Sequence, residues 1–289
     1  MTLLSCSIVV PSLNQARFLG PCLDSLLSQK GVQLEVIVCD GGSTDGSVDI
    51  LRRYGDQLVW SSEPDSGQTH AINRGIKRAT NEVVGYLNSD DLLLPGALEN
   101  VLPHLCSPSG PEMVYGEANF VDEVGDTIGK YRTAPWTPAT LGSACVVCQP
   151  TAFWRRELHA RLGEFNEELQ CSMDYEFWTR LALAKTKVIQ VPQTLAASRD
   201  YATTKTRSRR DQVYREIIAF QRRLLGRAHA QWWYEYLCYL KWETGLERRR
   251  VIPENLDKIE RLARLLSRLG VRSGVVRREF FLTSAIHRA

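Results

Sequence analysis

The feature that most constrains the fold is a regular alternation of apolar runs and amphipathic segments in the first hundred residues. Four apolar, mostly β-branched runs are predicted to be buried strands, at 7–10, 34–39, 58–60 and 83–87. Each is followed by a segment with apolar side chains at helical spacing, at 17–29, 45–54, 67–79 and 96–105. This alternation predicts an α/β fold with a mostly parallel sheet and helices on both faces.

The rest of the chain changes character twice. Residues 112–150 suggest short strands and turns, with a hairpin around 123–126, and residues 174–184 have a helical pattern. Beyond residue 207 the sequence becomes Arg-rich and Leu-punctuated, which predicts long helices at 212–225, 229–245 and 254–269. We therefore expect an α/β domain over residues 1–206 and a C-terminal helical extension over residues 207–289.

The composition argues against several classes of protein. A net charge of +3, with no basic stripe in the first 190 residues, argues against binding to nucleic acid. The apolar runs are much shorter than the roughly 20 residues of a transmembrane helix. The eight cysteines lie mostly in core-like segments and no signal peptide opens the chain, so we expect reduced thiols and a cytoplasmic location. Cys145 and Cys148 form an isolated C-x-x-C, which we expect to be structural rather than zinc-binding or redox-active.

Acidic residues follow two of the predicted strands. Asp40 comes directly after the second strand, and Asp90 and Asp91 follow the fourth. Such strand ends meet in one crevice of a parallel sheet, and a buried pair of carboxylates needs a positive partner. Mg²⁺ or Mn²⁺ carrying a diphosphate would supply it, because these ions combine one or two carboxylates with phosphate oxygens and water. The alternative is that one aspartate merely caps the following helix or forms an Asx turn.

Five stretches of the sequence carry a resemblance to a known family. They are SIVVPSLNQARFLGPCLDSLLSQ, LEVIVCDGGSTDGS, DSGQTHAINRGIKRA, GYLNSDDLLLPGAL and SMDYEFWTRLA. In order and spacing they resemble a family 2 glycosyltransferase with a GT-A fold, over roughly residues 5–205. The resemblance implies a GT-A-type, Rossmann-like catalytic domain with a nucleotide-sugar-binding half (1–105) and an acceptor-binding half (106–206). It also implies transfer of a hexose-type sugar from a nucleotide diphosphate to a hydroxyl with inversion, as in polysaccharide or glycoconjugate biosynthesis.

Carried over position by position, the resemblance implies roles for individual residues. The residues implied to bind the nucleotide-sugar are Pro11, Leu13, Asn14, Asp40, Asn73, Arg74, Asn88 and Asp91. Asp40 would bond the base, while Asn73 and Arg74 would lie on a helix beside the nucleotide. Asn88, Asp90 and Asp91 occupy the D-x-D motif of the family, which makes Asp90 and Asp91 the implied ligands of Mn²⁺ or Mg²⁺.

The resemblance also implies that Asp174 is the general base. Its place in the first turn of a predicted helix suits this role, because the helix macrodipole keeps a carboxylate there ionised and able to accept a proton. The alternative is that Asp174 only caps this helix, although Ser172 is available as a cap. Glu176 would then be the base.

Three positions depart from the family pattern. Gly41 replaces the usual second Asp of the nucleotide loop, Asn88 replaces the first acidic residue of D-x-D, and Tyr201 lies where the family often has a His. Arg199 or Lys205 could then hold the diphosphate. The departures leave open a catalytically inactive nucleotide-sugar-binding or assembly protein. A nucleotidyltransferase fits less well, because the loop at 11–14 is neither Gly-rich nor basic.

The C-terminal helices allow two interpretations. Arg clusters at 207–210, 222–223 and 247–250, with aromatic residues at 232–234, are consistent with peripheral contact at the inner membrane face. Because acidic residues are interspersed, we favour a helical cap packed on the catalytic domain or a contact in a homo-oligomer, without a role in the chemistry. The expected partners are a nucleotide-sugar donor and a glycan, lipid-linked or other hydroxyl acceptor.

Overall fold

The computed structural model describes residues 4–242. In the first part, strands and helices alternate: β1 (Leu4–Ser12), α1 (Ala16–Leu27), β2 (Val32–Asp40), α2 (Ser47–Tyr54), β3 (Val59–Ser62), α3 (Gln68–Arg78), β4 (Val83–Tyr86) and α4 (Ala97–Leu105). β1 pairs in parallel with β2 and β4, and β2 pairs in parallel with β3. The predicted alternation and its parallel pairing are confirmed.

Helices cover both faces of this parallel sheet. Successive residues of β1 belong to different apolar clusters, because side chains alternate across a strand. Val9 belongs to the cluster that contains Ile72 of α3, whereas Ile8 belongs to the cluster that contains Leu23 of α1. Gly75 lets α3 approach β1 closely, since a Cβ at this position would lie 2.3 Å from Val9 Cγ1.

The second part of the chain adds antiparallel strands. They are β5 (Leu92–Leu93), β6 (Met113–Val121), β7 (Thr127–Lys130), β8 (Phe153–Arg155) and β9 (Val188–Arg199). Across residues 4–242 they complete a nine-stranded sheet of order β3-β2-β1-β4-β8-β6-β9-β5, with β7 paired to β6. β8 runs antiparallel to β4 and β6, while β9 is parallel to β6. The β6–β7 pair confirms the predicted hairpin, whose turn is closed by a 2.9 Å hydrogen bond from Asp122 N to Asp126 O.

Strand β9 was not predicted from the sequence. Pro192 and two glutamines interrupt its apolar pattern, and proline is unfavourable inside a sheet because it cannot donate to the ladder. The strand accommodates Pro192 in an irregularity: Tyr115 pairs with Gln190, but Glu117 pairs with Thr194. Tertiary pairing with β6 therefore overrides the local signal.

Six helices of the described chain follow α4. They are α5 (Pro138–Ser143), α6 (Glu157–Leu162), α7 (Met173–Leu183), α8 (Lys205–Ser208), α9 (Arg210–Leu225) and α10 (Ala230–Trp242). Helices α7, α9 and α10 match predicted segments, whereas α5, α6 and α8 are short and were not predicted. The segment predicted to be helical at 254–269 and the Arg cluster at 247–250 lie outside the described residues.

Helix α9 packs into the core of the α/β part. Its buried side chains Tyr214, Ile217 and Phe220 belong to the same apolar cluster as Phe177 of α7. Trp232 of α10 is also buried, and its Nε1 donates to Gly142 O at 3.1 Å. These contacts fit the packed helical cap, while the domain boundary at residue 206 and contact with a membrane stay predictions.

Two further observations concern the setting of the protein. All eight cysteines are free thiols. None of the helices within residues 4–242 has both the length and the apolar character required to cross a bilayer.

Candidate active site

Asp40 organises the loop that follows β2. Its Oδ1 accepts hydrogen bonds from Gly42 N at 3.1 Å, Ser43 N at 2.9 Å and Ser62 Oγ at 2.6 Å. Its Oδ2 accepts one from Ser43 Oγ at 2.5 Å, and the residue is fully buried. Asp40 therefore holds the loop in shape, and its contact with a nucleotide base stays a prediction.

The loop after β1 is tied to the loop after β2. Asn14, in the left-handed region with φ +52°, accepts from Thr44 N at 2.9 Å through Oδ1, and Ser43 Oγ accepts from Asn14 N at 2.7 Å. Pro11 is buried at the end of β1, whereas Leu13 is 52% exposed. An exposed apolar side chain beside this polar loop offers a contact surface to a flat ligand.

Helix α3 contributes Asn73 and Arg74, which point to different partners. The Asn73 amide bridges to the chain before α7, donating to Phe165 O at 2.9 Å and accepting from Phe165 N at 3.1 Å. The Arg74 guanidinium pairs with Glu63 at 2.8 Å. Its Nε and Nη2 are buried and have no hydrogen-bond partner among the described residues. Both atoms are shut off from the surface and the Cys39 thiol lies beside the guanidinium, so contact of Arg74 with a nucleotide stays a prediction. The Asn73 amide is already bonded to Phe165 and Glu167.

The position of Gly41 explains one departure from the family pattern. A Cβ at Gly41 would lie 3.0 Å from Asp65 Oδ2. Asp65 belongs to the loop before α3 and accepts from Gly67 N at 2.8 Å. The carboxylate of Asp65 therefore lies next to the place where the second Asp of the nucleotide loop would begin.

The D-x-D segment follows β4, and its three polar side chains have different surroundings. Asp91 is 3% exposed; its Oδ1 accepts from Arg199 N at 2.9 Å and its Oδ2 from Asn88 Nδ2 at 3.1 Å. Asp90 is half-buried, and its Oδ2 accepts from the Tyr201 hydroxyl at 2.9 Å. Asp91 thus ties the loop to β9, while Asp90 lies nearer to solvent.

Positive side chains compensate the two carboxylates. Burial raises the pKa of Asp90, which Arg199 and Lys205 lower in part. Burial also raises the pKa of Asp91, and the neighbouring Asp90 charge raises it further. Arg199 lies with its guanidinium 4.8 Å above the Phe18 ring, and Lys205 donates to Gln68 Oε1 at 2.6 Å. Arg199 Nη1 already donates to Asp122 O and Glu123 O, and the expectation that Arg199 or Lys205 holds the diphosphate stays a prediction.

The donor set of this loop fits a divalent metal ion only in part. No group of three or more His, Cys, Asp or Glu side chains within residues 4–242 is arranged to hold a metal. Asp90 at the crevice surface, with Asp91 behind it, supplies the oxygen ligands that Mg²⁺ and Mn²⁺ prefer. Such ions commonly use one or two carboxylates and complete their shell with phosphate oxygens and water. The residues fit a metal that arrives with a diphosphate.

Asp174 is the second residue of α7 and is half-buried. Its Oδ1 accepts from Tyr175 N at 2.8 Å. Burial raises its pKa to about 6, so the carboxylate is ionised near neutral pH yet able to accept a proton. Glu176, the alternative base, is 2% exposed and bound by Arg180 at 2.9 Å and Arg223 at 2.8 Å. These ion pairs make Glu176 a structural residue.

Hydrogen bonds join the D-x-D segment to the segment before Asp174: Gln68 bonds Asn88, and Lys205 Nζ donates both to Gln68 Oε1 at 2.6 Å and to Gln170 O at 3.2 Å. Burial raises the pKa of the Cys148 thiol, and the carboxylates of Asp91 and Asp174 raise it further. Burial also raises the pKa of Tyr86, with smaller contributions from the same two carboxylates. The hydrogen bonds of Gln68 and Lys205 thus place the segment before Asp174 beside the D-x-D segment, while the role of Asp174 as the base stays a prediction.

Three residues that support the site were not identified from the sequence. Gln68 Nε2 donates to Asn88 Oδ1 at 2.6 Å, and Gln149 Nε2 donates to Tyr86 O at 2.7 Å. Glu216 of α9 accepts hydrogen bonds from the segment before α7. Gln149 could have been found from the sequence, because it is a polar residue inside the mostly apolar stretch 146–154. Gln68 and Glu216 lie in polar surroundings that give no such signal.

Comparison with known families identifies the chain. The model described as "Glycosyl transferase family 2" matches residues 7–162. The match covers more than half of the chain, which therefore belongs to this family, as the sequence motifs indicate. It includes the loops of Asp40 and Asp90 and ends before Asp174.

Individual relatives support the same assignment. Over 180 residues the chain is 31% identical to a chondroitin synthase of Pasteurella multocida (strain Pm70), covering 61% of this chain but only 18% of the relative. TarS 1–349 of S. aureus in complex with UDP-GlcNAc superposes with a TM-score of 0.65 at 18% identity, covering 87% of this chain and 77% of that one. The mannosyltransferase PcManGT of Pyrobaculum calidifontis, in complex with GDP-Man and Mn²⁺, superposes with a TM-score of 0.60 at 19% identity, covering 91% of this chain and 80% of that one. These likenesses confirm the predicted GT-A-type fold.

Proposed function

We propose that the protein transfers a hexose from a nucleotide diphosphate sugar, most simply a uridine diphosphate sugar, to an acceptor hydroxyl with inversion. Family membership supports the reaction class. The choice of donor is supported by the UDP-GlcNAc and GDP-Man complexes of the similar structures. The single observation that carries the proposal is the chain of hydrogen bonds between the D-x-D segment and the segment before Asp174: Gln68 bonds both Asn88 and Lys205, and Lys205 bonds Gln170 O.

The nucleotide would occupy the end of the parallel strands. Leu13 offers an apolar surface for the base, and Arg74 of α3 would lie beside the nucleotide. Lys205 lies by the first residue of α3, whose N-terminus favours anions. This arrangement places positive groups where the diphosphate is expected.

A divalent metal would be held by Asp90, with Asp91 behind it. When bound, Mn²⁺ or Mg²⁺ would stabilise the negative charge on the leaving diphosphate. Tyr201 holds Asp90 in place through its hydroxyl, and Arg199 and Lys205 add positive charge nearby. These residues orient the carboxylate that receives the metal.

Asp174 would remove the proton of the acceptor hydroxyl as the new glycosidic bond forms. One positioned base with the leaving group on the opposite face is what single-displacement inversion requires. The carboxylate is half-buried, and burial raises its pKa to about 6. A base with a pKa near the working pH is the most effective proton acceptor.

The test is the turnover of Asp174→Asn. Asn keeps the size of the side chain and caps helices about as well as Asp, so only proton acceptance is removed. We expect turnover, measured as free nucleoside diphosphate released from the donor sugar, to fall by about 10² to 10⁴. Donor affinity should be unchanged. Turnover close to that of the unmodified protein would leave Asp174 with only a structural role.

The acceptor and the setting of the reaction follow from the family. We propose a glycan or a lipid-linked hydroxyl as acceptor, in polysaccharide or glycoconjugate biosynthesis. The chondroitin synthase among the relatives supports a polysaccharide. The eight free thiols support a cytoplasmic location.

A catalytically inactive nucleotide-sugar-binding protein is the second candidate. The Tyr201 hydroxyl, which donates to Asp90 at 2.9 Å where the family often has a His, favours it. The two candidates differ in one observable. An enzyme releases nucleoside diphosphate from the donor in the presence of an acceptor, whereas an inactive binding protein leaves the donor intact.

A further inference from the structure

The segment that leads into α7 is held by a residue from α9. Glu216 Oε1 accepts from Gln170 N at 2.9 Å. Glu216 Oε2 accepts from Cys171 N at 2.9 Å, from Ser172 N at 3.0 Å and from Ser172 Oγ at 2.9 Å. A single carboxylate thus binds three successive backbone amides two to four residues before Asp174.

The Ser172 side chain, at the N-cap position of α7, makes no capping hydrogen bond within the helix. N–H groups at the start of a helix lack partners within it, and a Ser at the N-cap position commonly accepts from one of them. Here the Ser172 hydroxyl donates to Glu216 instead. The direction in which α7 begins is therefore fixed from another helix.

Other contacts hold the same segment from its opposite end. Thr69 Oγ1 of α3 donates to Leu169 O at 2.9 Å, and Lys205 Nζ donates to Gln170 O at 3.2 Å. Residues 169–172 therefore lie between the donor-binding helix α3 and helix α9. Only Glu216 among these contacts reaches the two amides nearest to α7, those of Cys171 and Ser172.

We infer that Glu216 is a positioning residue for the reaction, which sets the orientation of Asp174 by clamping residues 170–172 from α9. The inference rests on the proposed function, in which Asp174 is the base. A base must be aligned with the proton it removes, and a displacement of about 1 Å costs on the order of 10²-fold in rate. The helix beyond residue 207, expected from the sequence to take no part in the chemistry, would then contribute to catalysis indirectly.

The charge of Glu216 gives the clamp a second, measurable effect. Burial is the main cause of the raised pKa of Asp174, and the Glu216 carboxylate raises it further. Removing that charge should lower the pKa of Asp174. A contact without charge at this place would leave the pKa of Asp174 unchanged, so the pKa reports the charge of Glu216 and kcat reports the positioning.

The first experiment compares Glu216→Gln with Asp211→Asn in the full-length protein. Both variants remove one charge from α9, but Asp211 bonds Tyr236 of α10 instead of the segment before α7. For Glu216→Gln we expect kcat to fall by roughly 10- to 100-fold with unchanged donor affinity. The acid limb of its pH–rate profile should move to lower pH. Asp211→Asn should change kcat by no more than about twofold.

The second experiment asks whether Glu216 acts through Asp174. In the Asp174→Asn background, Glu216→Gln should lower the residual release of nucleoside diphosphate no further, because the group it positions is already lost. A further fall of the same size, or a Glu216→Gln protein with unchanged kcat and pH profile, would overturn the inference.

A milder variant covers the case in which Glu216→Gln does not fold. Ser172→Ala removes one of the hydrogen bonds to Glu216 and leaves the backbone intact. We expect a several-fold lower kcat with unchanged donor affinity, and an unchanged kcat would again overturn the inference. Failure of the proposed function appears differently: turnover of Asp174→Asn would then stay normal, whatever happens at Glu216.

Discussion

Asp40 at the end of β2 and Asp174 at the start of α7 are both candidate site residues, but they are supported in different ways. Asp40 binds the amide of Ser43, three residues further along the chain. The segment before Asp174 is held by Glu216, whose separation from Gln170 and Ser172 is 46 and 44 residues. The loop of Asp40 is therefore shaped in part by its own neighbours in the chain, whereas the segment before Asp174 depends on a distant helix.

This difference predicts different sensitivities to mutation. Damage to a local loop should weaken donor binding and leave the remaining structure intact. Damage to the packing of α9 should affect the stability of the whole α/β part, because α9 shares its apolar cluster with α7. Variants of α9, of the Asp40 loop and of Asp174 test this difference.

The largest effect is expected for Phe220→Ala. Phe220 of α9 is 1% exposed and contacts the ring of Tyr175 at a centroid distance of 5.2 Å. Truncating a buried Phe typically costs about 3–5 kcal/mol in the free energy of unfolding. Chemical denaturation measures this cost.

Leu225→Ala is the matched control for this change. Leu225 ends the same helix but is 39% exposed, so its truncation should cost about 0.5 kcal/mol or less. If Phe220→Ala lowered the free energy of unfolding as little as Leu225→Ala, α9 would be an appendage that the α/β part does not need.

A smaller effect is expected for Asp40→Ala. It leaves the amides of Gly42 and Ser43 without their acceptor, at a cost of about 1–3 kcal/mol in the free energy of unfolding. Because the loop loses its shape, donor affinity should fall by at least about tenfold. Asp49→Ala, on the exposed face of α2, should change stability by about 0.5 kcal/mol or less and leave donor affinity intact. Normal donor affinity in Asp40→Ala would contradict the role of this loop.

A pH-dependent gain in stability is expected for Asp174→Asn. Burial raises the pKa of Asp174 from 3.8 to about 6, so the folded state favours the protonated form. The ionised form costs stability, and this cost grows as the pH rises from about 4 to about 6. At about pH 7.5 the variant should therefore melt above the unmodified protein, and the difference should vanish below about pH 4. If the melting temperature of Asp174→Asn were below that of the unmodified protein at every pH, the raised pKa of Asp174 would be contradicted.

Much of the fold could be predicted because its signals are local. The parallel strands β1 to β4 are short apolar runs, and each helix between them has its own apolar face. Strand β9 could not be predicted, since Pro192 and polar residues obscure a pairing with β6 that only the folded chain provides. The short strand β8 has only three residues, too few to show a period.

The site residues also fall into two groups, those with a local signal in the sequence and those without one. Asp90 and Asp91 could be proposed as metal ligands from the sequence, because two adjacent carboxylates after an apolar run are unusual. The hydrogen bonds of Asn73 to Phe165 could not be foreseen, since they join residues 92 positions apart. The hydrogen bonds of Glu216 to residues 170–172 also join distant parts of the chain. A Glu in an Arg-rich helical segment resembles an ordinary surface residue, so the sequence gives no indication of these contacts. Long-range contacts of this kind have no pattern in the sequence.

The most direct test of the proposed function is the binding of nucleoside diphosphates to the protein. Isothermal titration calorimetry with UDP, GDP and TDP, each with Mn²⁺ or Mg²⁺ and without metal, measures it on the unmodified protein and on Asp90→Ala. We predict binding of UDP that is strengthened by the metal, and loss of that strengthening in Asp90→Ala with the fold unchanged. If none of the three nucleotides binds under any of these conditions, the crevice is not a donor site and the proposed function is wrong.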